Sequence, residues 1–168
     1  TSGGITITNG TVNLTSNLSK GISSKYGLIT IAGGTTNITS ADDAVRAKNY
    51  NVQVTGGTLN VNKCDGDGIR AGNTAIIAAG TVKIDNCYGD GIQAENIEIT
   101  GGDLNIATYY EFAATNFYSS NWSGKTNSIT ESGSTKTETI NYDTGSHKAL
   151  KAGTKAKTCS YNQITDSS

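Results

Sequence analysis

Three aspartates, Asp43, Asp67 and Asp90, recur at nearly equal intervals, each just ahead of a small-apolar pair. Asp42 and Asp65 lie close by. If the chain coils so that these positions stack, neighbouring carboxylates come within about 5 Å and repel unless something lies between them. Calcium takes oxygen ligands at about 2.3–2.6 Å. A Ca²⁺ ion between successive aspartates would span two carboxylates with little strain, and carbonyls of the Gly66 and Gly89 turns could complete its shell. The alternative is that each aspartate caps its own turn. Lys20 and Lys148 stand where the flanking copies would carry the aspartate, and would close the column at both ends.

Other chemistry follows the same interval. Cys64 and Cys87 are one such interval apart, and stacking would bring their Cα atoms within disulfide range. A pair of buried stacked thiols is the alternative. A disulfide would fit an extracellular or cell-surface protein. Arg46 and Arg70 fall in one outward column with Ser23, Gln93 and Lys151, beside the acidic corner. They are candidate ligand-binding residues, and also ordinary solvated charges on a solenoid face. Calcium beside a basic residue is what a polyuronate lyase would need. The chain has one histidine, His147, and neither a Ser/His/Asp set nor zinc spacing can be read. The sequence is therefore read as non-catalytic, with a lyase as the enzymatic alternative.

The elements that must position these residues are short strands. The pairs Gly21-Ile22, Ala44-Val45, Gly68-Ile69 and Gly91-Ile92 keep one period, and Ala149-Leu150 repeats them after an interruption. Turns at Asn9-Gly10, Gly33-Gly34, Gly56-Gly57, Ala79-Gly80 and Gly101-Gly102 keep the same period. Between these landmarks apolar residues alternate, as in ITI (5–7) and TVNL (11–14), which is the period of a strand. Strands this short bury their apolar positions only by coiling and stacking. The fold expected is a right-handed parallel β-helix with rungs of about 23 residues, within the range of repeat lengths that solenoids use. Its inward columns are Ile5, Ile29, Val52, Ala75, Ile97; then Val12, Thr36, Leu59, Val82, Leu104; then Leu14, Ile38, Val61, Ile84, Ile106; and Ile22, Val45, Ile69, Ile92, Leu150 at the corner. Asn13, Asn37, Asn60, Lys83 and Asn105 form an outward ladder. Asn49, Asn73 and Asn96 mark one turn, where asparagine tolerates a left-handed backbone.

Composition agrees. Hydrophobic residues make up only 35% of the 168, with 21 glycines and no proline. That is too little for a thick core and enough for a narrow column. The net charge of −1 argues against nucleic acid or an anionic membrane as a main partner. No run approaches the roughly 20 apolar residues of a membrane span. The chain begins at Thr1 without a leader and is read as a mature fragment or excised module. The expected layout is a single module over 1–168: rungs over 3–107, an insertion over 108–145 and a last corner over 146–168. The insertion opens with Tyr109, Tyr110, Phe112, Phe117, Tyr118 and Trp122. Long solenoid insertions are often loops on the binding face. Tyr110, Tyr118 and Trp122 are candidates to stack on sugar rings or anchor a protein, the alternative being a local mini-core on an end or flank.

The corners ADDAVRAKN (41–49), DGDGIRAGN (65–73) and YGDGIQAEN (88–96), alternating with ITGG-type turns, resemble a bacterial family. It is the carbohydrate-binding, pectate-lyase-like β-helix domain of clostridial cell-surface and cellulosome-associated proteins. SKGI (19–22) and SHKAL (146–150) are similar to its lysine-bearing corners. The resemblance covers roughly 3–107 and 142–154, and its specificity lies in repetition. It implies calcium at Asp43, Asp67 and Asp90, and cellulosic or pectic polysaccharide as ligand. Ala44 departs from the usual corner glycine, and Gln93 interrupts the basic column. The Met-free, Tyr-, Asn- and Ser-rich composition is also similar to extracellular proteins of anaerobic gut fungi, where such a module would be a scaffold that receives a docking protein. A plant cell-wall polysaccharide or an extracellular docking protein are thus the two partner classes expected.

Overall fold

A computed structural model describes residues 3–108, 112–116, 122–125, 128–131, 134–136 and 150–152. The first rung holds β1 (Ile5–Ile7), β2 (Thr11–Ser16) and β3 (Ile22–Ser24), and the second β4 (Ile29–Ile31), β5 (Thr35–Ser40) and β6 (Val45–Ala47). In the third and fourth rungs the first two strands merge: β7 (Val52–Cys64) and β8 (Ile69–Ala71), then β9 (Thr74–Cys87) and β10 (Ile92–Ala94). The fifth holds β11 (Asn96–Ile99) and β12 (Asp103–Thr108). Within the insertion lie β13 (Phe112–Asn116), β14 (Trp122–Lys125), β15 (Ser128–Glu131) and β16 (Ser134–Lys136), and β17 (Leu150–Ala152) ends the described chain. No helix occurs among the described residues.

The strands stack in parallel as a β-solenoid of about five turns. Ile5 pairs with Ile29, Ile29 with Val52, Val52 with Ala75, and Ala75 with Ile97. Val12, Thr36, Leu59, Val82 and Leu104 pair in turn, as do Leu14, Ile38, Val61, Ile84 and Ile106. β3, β6, β8, β10 and β17 form a separate five-stranded parallel sheet carrying the corner column from Ile22 to Leu150. The expected inward columns are therefore the core. Ile29, Ile38, Ile69 and Ile84 are wholly buried, and each such side chain is worth about 1.5–3 kcal/mol. The core column has one polar break, Thr36, buried with its hydroxyl lacking a hydrogen-bond partner.

The turns explain the recurring glycine. Gly10, Gly34, Gly57, Gly80 and Gly102 all have positive φ, between 71° and 88°. Turns also stack tightly: a Cβ on Gly34 would lie 2.4 Å from the Gly10 carbonyl oxygen. Only a residue without Cβ satisfies both demands. The asparagine turn departs from expectation. Asn49, Asn73 and Asn96 are not left-handed, and Asn86, at φ 53°, is the non-glycine residue with positive φ among those described. The turn is held instead by bonds between rungs: the Asn96 N–H donates to the Asn73 carbonyl, and the Thr74 N–H to Asn51 Oδ1.

The described strands of the insertion lie along the last rung. β13 pairs antiparallel with β12, and β14 antiparallel with β11, followed by β15 and β16. A last parallel rung leaves a row of backbone N–H and C=O groups open. These strands cover that row.

Candidate functional site

At each corner the chain turns from the long sheet into the five-stranded one, and the aspartate just before the turn points inward. Asp43, Asp67 and Asp90 are all buried. The first two carboxylates link rungs: the Asp67 N–H donates to Asp43 Oδ1 at 3.0 Å, and the Asp90 N–H to Asp67 Oδ1 at 2.7 Å. Glycine at 66 and 89 makes room. A Cβ there would sit 2.7 Å from Asp43 Oδ1 and 2.5 Å from Asp67 Oδ1.

The other carboxylate oxygen faces a cation on the outer surface of the five-stranded sheet. Arg46 Nη1 lies 3.2 Å from Asp43 Oδ2, Arg70 Nη1 3.4 Å from Asp67 Oδ2, and Lys151 Nζ 3.1 Å from Asp90 Oδ2. The Arg70 contact lacks hydrogen-bond geometry, so Asp67 Oδ2 is buried without a hydrogen-bond donor. Burial pushes the Asp67 carboxyl up to about 7. The Asp90 N–H and Arg70 oppose this shift, while the charges of Asp90 and Asp43 add to it. Asp42 and Asp65 stand apart from the column. Asp42 is bonded to Lys20, which holds its carboxyl below the usual range, and Asp65 pairs with Lys63 at 3.3 Å.

Each of the three carboxylates spends one oxygen on a backbone N–H or a cation, and among the described residues no three acidic, histidine or cysteine groups converge on one point. The donor set is that of a carboxylate ladder matched to protein cations.

Outward of the ladder, Arg46, Lys48, Asn49, Arg70, Gly72 and Gln93 line a shallow depression of about 280 Å³. Arg46 and Arg70 are legible in the sequence as site candidates. Asn49 and Gln93 are legible there only as turn and column residues, and Lys48 not at all. A signal for them exists. The interval from the small inward residue to the next strand's first inward residue is five from Ser24 to Ile29 and from Ala47 to Val52. It falls to four from Ala71 to Ala75 and three from Ala94 to Ile97. A shortening turn leaves a step on the surface.

Cys64 and Cys87 form a disulfide between adjacent rungs, with Cα atoms 4.6 Å apart. The outward asparagine ladder is bonded along the axis: Asn37 Nδ2 donates to Asn13 Oδ1 at 2.7 Å, and Asn60 Nδ2 to Asn37 Oδ1 at 2.8 Å. Tyr110, Tyr118 and Lys148 lie outside the described residues. Trp122 begins β14, opposite Ile99 of β11.

A family model described as carbohydrate-binding domain-containing protein matches residues 9–166, and the chain belongs to that family. No curated protein and no solved structure matches the chain.

Proposed function

We propose that this chain is a non-catalytic module that binds plant cell-wall polysaccharide, cellulosic or pectic, outside the cell. The observation that carries this reading is the family match, which runs across the solenoid and its insertion. Two features support it. The rungs present long, regular polar faces, and one of these holds a depression lined by donors suited to carboxylate and hydroxyl groups. The disulfide fits an oxidising compartment. In this reading Trp122, Tyr118 and Tyr110 add stacking surfaces from the insertion.

Co-sedimentation tests the reading. The chain is mixed with insoluble cellulose and with insoluble polygalacturonate, and the supernatant is assayed for protein. Retention on at least one polymer, weakened by Trp122→Ala, is the expected result. Protein left wholly in solution with both polymers refutes it and returns attention to a docking protein as partner. Accumulation of an unsaturated, ultraviolet-absorbing product that needs Arg70 would make the module a lyase instead.

A further inference from the structure

The turn after the five-stranded sheet shortens along the solenoid. It spans residues 25–28 and 48–51 in the first two rungs, residues 72–73 in the third, and Glu95 alone in the fourth. At the step, the second turn lies directly on the third: a Cβ on Gly72 would come within 2.0 Å of the Lys48 carbonyl oxygen. Lys48 and Asn49 thus form a ledge beside Arg46, Arg70 and Gln93. From the ledge a single outward column continues across the rungs, Arg46 beside Arg70, Arg70 beside Gln93, and Gln93 beside Lys151.

We propose that this ledge seats an acidic sugar residue, and that the polysaccharide runs parallel to the solenoid axis with its carboxylates on Arg46, Arg70 and Lys151. The proposal rests on the polysaccharide-binding reading and assigns its site, its charge preference and its direction. Rungs repeat every ~4.8 Å, close to the advance per residue of a 1,4-linked pyranose chain. A polymer along the axis therefore meets one column position per sugar.

The donors suit that ligand. A guanidinium carries five N–H donors in a planar fork that matches a carboxylate. Arg46 and Arg70 each place Nη1 against a buried aspartate, which leaves donors for a ligand above. The aspartates hold these heads from below, so less side-chain freedom is lost on binding. Asn49 and Gln93 offer amides to ring hydroxyls. Lys48 is exposed and adds a positive charge at the ledge.

Calorimetric titration of the 168-residue chain with oligogalacturonates and cello-oligosaccharides of two to six sugars tests this. Affinity for the uronates is expected to rise with length to about four sugars, one for each of Arg46, Arg70, Gln93 and Lys151, and then to level off. It should fall in 1 M salt, where screening acts within about 3 Å. Arg46→Gln, Arg70→Gln and Lys48→Gln should each weaken it roughly tenfold. Lys63→Gln, which belongs neither to the column nor to the depression and pairs with Asp65, should leave it unchanged. Lys48→Gln matters most, since no buried carboxylate depends on it for the fold. Uronate binding that ignores length or Lys48→Gln overturns the proposal. Binding to cello-oligosaccharides alone overturns it while leaving the polysaccharide reading intact. Failure with both sugars and with both insoluble polymers overturns the two together.

Discussion

Replacing Asp67 by asparagine should make the protein more stable at pH 8 and abolish a pH dependence of the native protein. The Asp67 carboxyl stands near pH 7 in the fold, against 3.8 for the free group, chiefly because it is buried. A folded-state value above the unfolded one means that the native state holds the proton more tightly between the two. The stability it contributes is fully present below 3.8 and is lost as pH rises through 7. At about 1.4 kcal/mol for each pH unit between the two values, ionising Asp67 costs on the order of 4 kcal/mol. Asparagine keeps the oxygen that accepts the Asp90 N–H and never ionises. The stability of Asp67→Asn relative to the parent should therefore rise by roughly 3 kcal/mol between pH 4.5 and pH 8. Urea unfolding at pH 4.5, 6 and 8 measures this, in a His147→Gln background that removes the only histidine. Asp42 works in the opposite sense and outside this window. Its lowered carboxyl contributes stability above 3.8, lost as pH falls further. A parent whose stability is flat from pH 4.5 to 8, with Asp67→Asn weaker at pH 8, would refute the reasoning. So would a melting temperature that climbs with millimolar calcium and not with magnesium, because the ladder would then be a metal site with ionised ligands.

Three further changes probe the frame. Thr36→Val replaces a buried hydroxyl without a partner in a column otherwise made of Val12, Leu59, Val82 and Leu104; it should stabilise by about 1–2 kcal/mol in urea unfolding, and a loss would show that the hydroxyl is bonded. Removing the Cys64–Cys87 bridge as the double alanine variant frees a loop of 23 residues and should cost about 3 kcal/mol. Reductant should lower the parent's stability substantially while leaving the variant's unchanged, and indifference of the parent to reductant would count against the bridge. Asn37→Ala deletes both amide bonds of the half-buried ladder at once and should cost about 1 kcal/mol; a silent change would mean the amides are held by water instead.

The columns were legible because a solenoid stacks like on like. A single interval, shared by every rung, fixes which residues pair, and parity fixes which side they face. That is enough to place Ile5, Ile29 and Val52 in one column, as their pairing shows. The aspartates could be aligned in the same way, but the sequence does not say what a carboxylate meets. Asp67 meets an N–H from the next rung, a donor invisible in a list of side chains. Its resemblance to a calcium corner and its use as a rung-to-rung bond have the same spacing. The asparagine turn misled for a related reason. Asparagine tolerates the left-handed region, yet here bonds between stacked rungs hold Asn73 and Asn96 without it. The insertion lacks the period altogether, so its pairing with β11 and β12 had no sequence signal beyond the open edges those strands create.

The buried aspartates and the exposed arginines form one device, and this sets a trade between stability and binding. Burying Asp67 is costly because its charge is poorly compensated. The same carboxylate is what Arg70 faces, while Arg70 itself remains about half exposed at the depression. If the ladder exists to position guanidiniums, Asp67→Asn gains stability at pH 8 and loses affinity for acidic oligosaccharides, because Arg70 is freed to sample rotamers that a ligand must then restrict. Asp67 would be a positioning residue, acting on the ligand only through Arg70. The double variant Asp67→Asn/Arg70→Gln separates this from a general change in the fold. In that variant Asp67→Asn should have no further effect on affinity beyond Arg70→Gln, while its gain in stability persists. Affinity losses that add independently would mean that the buried ladder and the outer column are separate features that happen to share a period.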